Sequence, residues 1–153
     1  MGFYCNGKYA SDEEFDGKAV IRAIDRHTGE HVAIKRWRAG STEAENEISV
    51  WRRLYPKLFM ESCADGEFKY LVRKWIDGCA LTVLSAVSGG FTESDMLTLF
   101  YKIVSALENF YEASGMVYGD LKPENIIVNG PEVTLIDYET AAAALSHEDV
   151  RDK

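Results

Sequence analysis

The chain has 153 residues, 46% hydrophobic and 27% charged, with a formal net charge of −8. This suits one globular domain with its own core and excludes nucleic acid and anionic membranes as expected partners. Cys5, Cys63 and Cys79 are few, scattered and odd in number, so reduced thiols, a cytoplasmic location and no metal cluster are expected. No apolar run is long enough to cross a membrane, no signal-peptide pattern opens the chain, and Asn6 stands where a myristoylation motif needs Ser or Thr.

In chain order, Asp12, Glu13, Glu14 and Asp16 form an acidic stretch before Gly17. Gly17 to Lys35, GKAVIRAIDRHTGEHVAIK, has two Val- and Ile-rich runs around a polar segment, which predicts an antiparallel hairpin turning near Thr28 and Gly29. Ser41 to Leu54 reads as an amphipathic helix, with Thr42 and Glu45 as a capping box and Ala44, Ile48, Trp51 and Leu54 on one face. Leu58 to Ile76 reads as a second hairpin around Asp65 and Gly66. Ala80 to Val87 suits a short helix ending at Gly89-Gly90. Thr92 and Asp95 cap a long helix that stops at Ser114-Gly115; its Met96, Leu99, Phe100, Ile103, Leu107 and Phe110 recur at spacings of three and four and read as core. The alanines after Thr140, followed by Leu145 and Val150, predict one terminal helix.

Met116 to Glu139, MVYGDLKPENIIVNGPEVTLIDYE, carries the chemistry. Asp120, Lys122 and Asn125 share one Pro-containing loop. Ile126 to Val128 and Val133 to Ile136 then read as two strands joined at Asn129-Gly130-Pro131. Folding these strands together returns Asp137 to the neighbourhood of Asn125. A carboxylate and an amide oxygen so placed can hold Mg²⁺, whose remaining ligands come from phosphates and water. Asp120 is left to act as a base and Lys122 to neutralise phosphate charge.

DLKPEN followed by an Asp after an apolar strand resembles the catalytic loop and metal-binding Asp of protein kinases, with Tyr118-Gly119-Asp120 in place of His-Arg-Asp and Asp137-Tyr138-Glu139 in place of Asp-Phe-Gly. Val-Ala-Ile-Lys ending at Lys35 is similar to the third kinase strand, and Glu47-Ile48 to the start of the regulatory-helix motif. The resemblance implies ATP and Mg²⁺ as cofactors, with Lys35 on the α- and β-phosphates and Glu47 holding Lys35. Val20, Ala33 and Ile127 would line the nucleotide, and Lys74 and Ile76 would lie in a hinge near 74–78. Asn125 and Asp137 would hold the metal, and Arg73 would take the gatekeeper place, either pairing with Glu47 or marking a shifted register. The loop expected to be glycine-rich falls on Glu13 to Lys18 with only Gly17. Its carboxylates would each repel a triphosphate by about 1 to 2 kcal/mol at about 8 to 10 Å, unless they face solvent or recruit a cation.

The implied fold is a reduced protein-kinase-like α+β domain over 1–153: a small antiparallel N-lobe sheet plus one helix, about 1–76, and a truncated helical C-lobe, about 79–153. The implied reaction moves the γ-phosphoryl group of Mg-ATP to a Ser or Thr hydroxyl of a protein substrate. The shortness is similar to that of minimal kinases used as bacterial or viral effectors, which act in the host cytoplasm and depend on a partner. A protein partner or a homo-oligomer is therefore expected to cover the long helix. Two other classes stay open. Gly119-Asp120 and Ile136-Asp137-Tyr138-Glu139 also resemble patterns of choline and aminoglycoside phosphotransferases, although Lys-Pro-Glu favours protein kinases. A pseudokinase acting as a binding module fits the acidic loop, but Lys35, Asp120, Asn125 and Asp137 speak against it.

Overall fold

Val, Ile and aromatic residues alternate with polar ones through the first half of the chain, and the resulting strands pair into one antiparallel sheet. The computed structural model describes residues 1–87 and 91–143 and divides the chain into two compact units, Met1–Ile76 and Asp77–Lys153. In the first unit β1 (Gly2–Tyr4), β2 (Tyr9–Ser11), β3 (Val20–Asp25), β4 (His31–Arg38), β5 (Phe59–Ala64) and β6 (Phe68–Lys74) lie in the order β1-β2-β3-β4-β6-β5, and α1 (Thr42–Leu54) links β4 to β5. Both expected hairpins are present, β3 with β4 and β5 with β6.

Two aspartates shape the hairpin turns. Asp25 accepts the backbone N–H groups of His27 and Thr28 at 2.8 and 3.3 Å. Asp65 accepts those of Glu67 and Phe68 at 3.1 and 2.8 Å, and the Tyr70 hydroxyl at 2.8 Å. Bonds that favour the charged form hold both carboxyls below their ordinary value, led by the His27 N–H at Asp25 and the Phe68 N–H at Asp65. Such a carboxyl stabilises the fold at pH above its unfolded value, 3.8 here, and that contribution is lost as pH falls through the lower folded value. Acid titration followed by circular dichroism is expected to show loss of sheet below about pH 4, and Asp65→Asn should make that limb shallower. An acid limb identical in the variant would remove Asp65 from this account.

Strand alternation gives the sheet two faces. Ile21, Ala23, Val32, Ile34 and Val72 join Tyr9, Phe15 and Tyr70 in a buried core on one of them. Cross-strand register places Val20, Ala33, Lys35, Leu71 and Arg73 on the other. α1 lies against this second face and buries Ala44, Glu47, Ile48 and Trp51. Its N-cap is Ser41, which accepts the Ala44 N–H at 3.2 Å, instead of the expected Thr42.

β1 and β5 are the two edges of the sheet, and the sheet curls until they meet. Cys5, just past β1, is disulfide-bonded to Cys63 on β5, with Cα atoms 5.7 Å apart across 58 residues of sequence. The Tyr9 hydroxyl donates to Glu61 at 2.5 Å, and Lys8 pairs with the same carboxylate at 3.0 Å. Burial, followed by the bond to Glu61, raises the Tyr9 phenol above its ordinary range. The expectation of reduced thiols is thus corrected for Cys5 and Cys63, and Cys79 is the free, exposed cysteine. The sequence offered no pairing signal because only the curl of the sheet brings the two positions together.

The second unit holds β7 (Cys79–Ala80), α2 (Leu81–Val87), α3 (Glu93–Ser114), β8 (Met116–Val117), a 3₁₀ turn (Pro123–Asn125), β9 (Ile126–Asn129), β10 (Glu132–Leu135) and β11 (Ala142–Ala143). The strands pair as β10-β9-β7 and β11-β8. Gly78 has φ 125°, and a Cβ there would meet the Val128 carbonyl at 2.5 Å, so only glycine lets the chain enter β7 beside β9. Thr92 and Asp95 form the expected capping box, and Gly115 ends α3 in the left-handed conformation.

Two expectations are corrected here. Phe110 is buried at 3% exposure, but Met96 and Phe100 are 59% and 66% exposed, because among the described residues no further helix packs on that side of α3. The terminal helix does not begin at Ala141: Ala141 is buried, and Ala142–Ala143 pair as a strand with Val117 and Met116. Gly89, Gly90, Leu145 and Val150 lie outside the described residues.

Candidate active site

In the first unit the site is built around Lys35. β4 brings Lys35 opposite Val20 and Leu71, with Ala33 one pleat away beside Arg73. The Lys35 ammonium sits 2.7 Å from a Glu47 carboxylate oxygen, with the two side chains only 8% and 2% exposed. Losing either partner would leave a buried charge uncompensated, at a cost of roughly 3 to 5 kcal/mol. The other Glu47 oxygen accepts the Trp51 indole N–H at 3.2 Å. The Lys35 ammonium also lies 5.0 Å from the Trp37 ring centroid.

Arg73 lies opposite Ala33 in the sheet, and its guanidinium lies 5.0 Å from the Trp51 ring centroid. Lys74 closes β6 and donates its N–H to the Leu58 carbonyl at 2.8 Å, and its own carbonyl accepts from the Arg73 guanidinium at 3.3 Å. Ile76 follows, half-buried, at the end of this unit. Sequence reasoning missed that Arg22 stacks on Trp75 at 4.7 Å, and it read Trp51 only as apolar packing. The four-residue step from Glu47 to Trp51 was the available signal.

The acidic loop before Val20 turns its charges outward. Asp12, Glu14 and Asp16 are exposed, and Glu13 pairs with Lys18 at 3.5 Å. Phe15 goes inward, edge-on to Tyr4 at 5.6 Å and under the Arg36 guanidinium at 4.3 Å. Of the two arrangements expected for these carboxylates, the structure has the solvent-facing one.

In the second unit Asp120, Lys122 and Asn125 come together. The Lys122 ammonium is 3.3 Å from the Asp120 carboxylate. The buried Asn125 amide nitrogen donates to the Asp120 carbonyl at 2.9 Å and to its carboxylate at 3.2 Å. With that nitrogen engaged, the amide oxygen is the atom able to meet a cation, which fits an Mg²⁺ ligand. The β9–β10 hairpin closes as expected: Ile136 donates its N–H to the Asn125 carbonyl at 2.9 Å, so Asp137 follows directly, with φ 72°. Aspartate is among the few residue types that accept this conformation. Ile127 lies on β9 between Thr134 and Ala80.

Aromatic packing supports the loop. Tyr118 lies 6.2 Å from Phe110 and 5.4 Å from Tyr138, and Phe110 lies 5.2 Å from Tyr138, between ring centroids. Tyr118 also donates its hydroxyl to the Ile136 carbonyl, and Tyr138 donates to the Leu135 carbonyl at 2.8 Å. A Cβ at Gly119 would meet the Thr140 carbonyl oxygen at 2.7 Å, so the arginine usual at this place in the resembled motif would not fit without moving the backbone.

The family model for the protein kinase domain matches residues 16–152. Similar curated proteins include cell division control protein 2 homolog 3 of Trypanosoma brucei brucei, 31% identical over 135 residues, covering 81% of this chain and 43% of that protein. Calcium/calmodulin-dependent protein kinase type 1 of Macrobrachium nipponense is 35% identical over 135 residues, covering 86% of this chain and 36% of its own. A probable serine/threonine-protein kinase of Clostridium acetobutylicum is 27% identical over 158 residues, covering 94% and 24%. The chain spans less than half the length of each of these relatives.

Proposed function

Since this chain belongs to the protein kinase domain family, we propose that it transfers the γ-phosphoryl group of Mg-ATP to a serine or threonine hydroxyl of a protein. The observation that carries this reading is the joining of Asp120, Lys122 and Asn125 by bonds of 2.9 to 3.3 Å. In the reaction the acceptor hydroxyl gives its proton to the Asp120 carboxylate as its oxygen bonds to the γ-phosphorus. The bond from that phosphorus to the bridging oxygen breaks, and ADP leaves with the electron pair. Lys122 offsets negative charge on the transferred group, and Lys35 meets the α- and β-phosphates. Asn125 and Asp137 would hold an Mg²⁺ ion, which when bound would draw charge from the phosphates. Val20, Ala33 and Ile127 contribute apolar surface to the base, with backbone contacts at Lys74 and Ile76.

ATP use supports a cytoplasmic site of action, while the Cys5–Cys63 disulfide is a bond that reducing cytoplasm disfavours; no helix among the described residues is long and apolar enough to cross a membrane. Phe100, Tyr101 and Tyr111, each more than half exposed on α3, support a protein partner or a second copy over that helix. A pseudokinase reading has one observation in its favour. Phe15 anchors the acidic loop in the core, and that loop lacks the glycines whose N–H groups would approach phosphates.

Calorimetry separates these readings. ATP is expected to bind at least about tenfold more tightly with Mg²⁺ than without it, and Asp137→Ala should erase the difference. Equal affinity in both conditions would remove the metal site. Transfer of radiolabelled phosphate from ATP to protein, and not to choline-like alcohols, would then separate a protein kinase from a small-molecule kinase and from a pseudokinase.

A further inference from the structure

We propose that Trp51 is a positioning residue for the Lys35–Glu47 pair: its indole N–H fixes the Glu47 carboxylate, and through it Lys35, with Arg73 backing the ring. The role assigned to Lys35 rests on the function proposed above; the geometry of the clamp does not.

A glutamate side chain turns about three bonds, so a single ion pair leaves its carboxylate able to swing. Here the two oxygens are held from different sides, one by Lys35 at 2.7 Å and the other by the Trp51 N–H at 3.2 Å. The spacing produces this arrangement. Trp51 stands one helical turn after Glu47, and side chains on a helix lean toward its N-terminus, which brings the indole over the carboxylate. The ring itself is held, being fully buried with Tyr55 tilted against it at 5.1 Å. The Arg73 guanidinium lies 5.0 Å from its centroid. Arg73 belongs to β6 and Trp51 to α1, so the contact also ties the helix to the sheet that carries Lys35. A purely hydrocarbon side chain would fill the same space without holding Glu47.

Trp51→Phe keeps an aromatic ring and removes the N–H. Lys35 is probed directly, with an acetyl N-hydroxysuccinimide ester and peptide mass spectrometry, which needs neither ATP binding nor turnover. The expected result is a Lys35 acetylation rate raised about tenfold, matching loss of one hydrogen bond to a charged group, in a variant that stays folded by circular dichroism. Mg-ATP affinity should fall by a similar factor. Unchanged Lys35 labelling in the folded variant would overturn the clamp. Faster labelling together with no ATP binding by the wild-type chain would uphold the clamp and instead refute the phosphotransfer reading. Should Trp51→Phe unfold, deuterium exchange at the indole N–H groups of the wild-type chain decides. The Trp51 proton is expected to exchange at least about tenfold more slowly than that of half-buried Trp75, and equal rates would overturn the proposal.

Discussion

Asp120→Asn is expected to lower kcat for phosphotransfer by about 100- to 10,000-fold, the range that a positioned acid or base contributes, while leaving Mg-ATP affinity within about threefold. The carboxamide fills the same space and can still accept from the Asn125 amide, which now bonds the Asp120 carboxylate at 3.2 Å. What it lacks is a carboxylate to take the acceptor's proton. It also removes the charge that pairs with Lys122 at 3.3 Å, but that pair is partly exposed and contributes little to stability. Radiolabelled phosphate transfer measured beside calorimetric ATP binding separates the two effects. Wild-type kcat in the variant would show that Asp120 does not orient the acceptor, and parallel loss of kcat and ATP affinity would place Asp120 in nucleotide binding instead.

Breaking the Cys5–Cys63 bond is expected to cost about 4 kcal/mol, the chain-entropy value for a loop of this size, closed here across 58 residues. Thermal melts with and without reductant should then differ by on the order of 10 to 20 °C, and Cys63→Ser should melt like the reduced wild-type chain. The size of the effect follows from topology. The bond ties the turn after edge strand β1 to the other edge strand, β5, of a six-stranded sheet, and Glu61 on β5 also accepts from Tyr9 of β2 and pairs with Lys8 just before it. Without the bond, β1 loses its covalent tie to β5, and Tyr4, packed against the core edge-on to Phe15, gains freedom. Identical melts under both conditions would show that the sheet stays closed without the bridge.

Much of the fold and of the candidate site was legible in the sequence, because those features depend on local chemistry. The hairpins followed from alternation and turn residues, and α3 followed from its capping box and Gly115. The return of Asp137 to Asn125 followed from a short hairpin whose register has little freedom. Lys35 and Glu47 were legible in the same way: positions inside a strand and inside the helix that follows it, twelve residues apart, cannot lie far from one another once the helix packs on the sheet. Other features were decided only by tertiary structure, because they join residues whose separation in sequence says nothing about their meeting. The curl of the sheet brought Cys5 to Cys63, and the core drew Phe15 out of an acidic loop. The stacking of β6 on α1 set Arg73 against Trp51. The exposure of Met96 and Phe100 was likewise undecidable from periodicity, since an apolar stripe is buried only where another element is present to cover it.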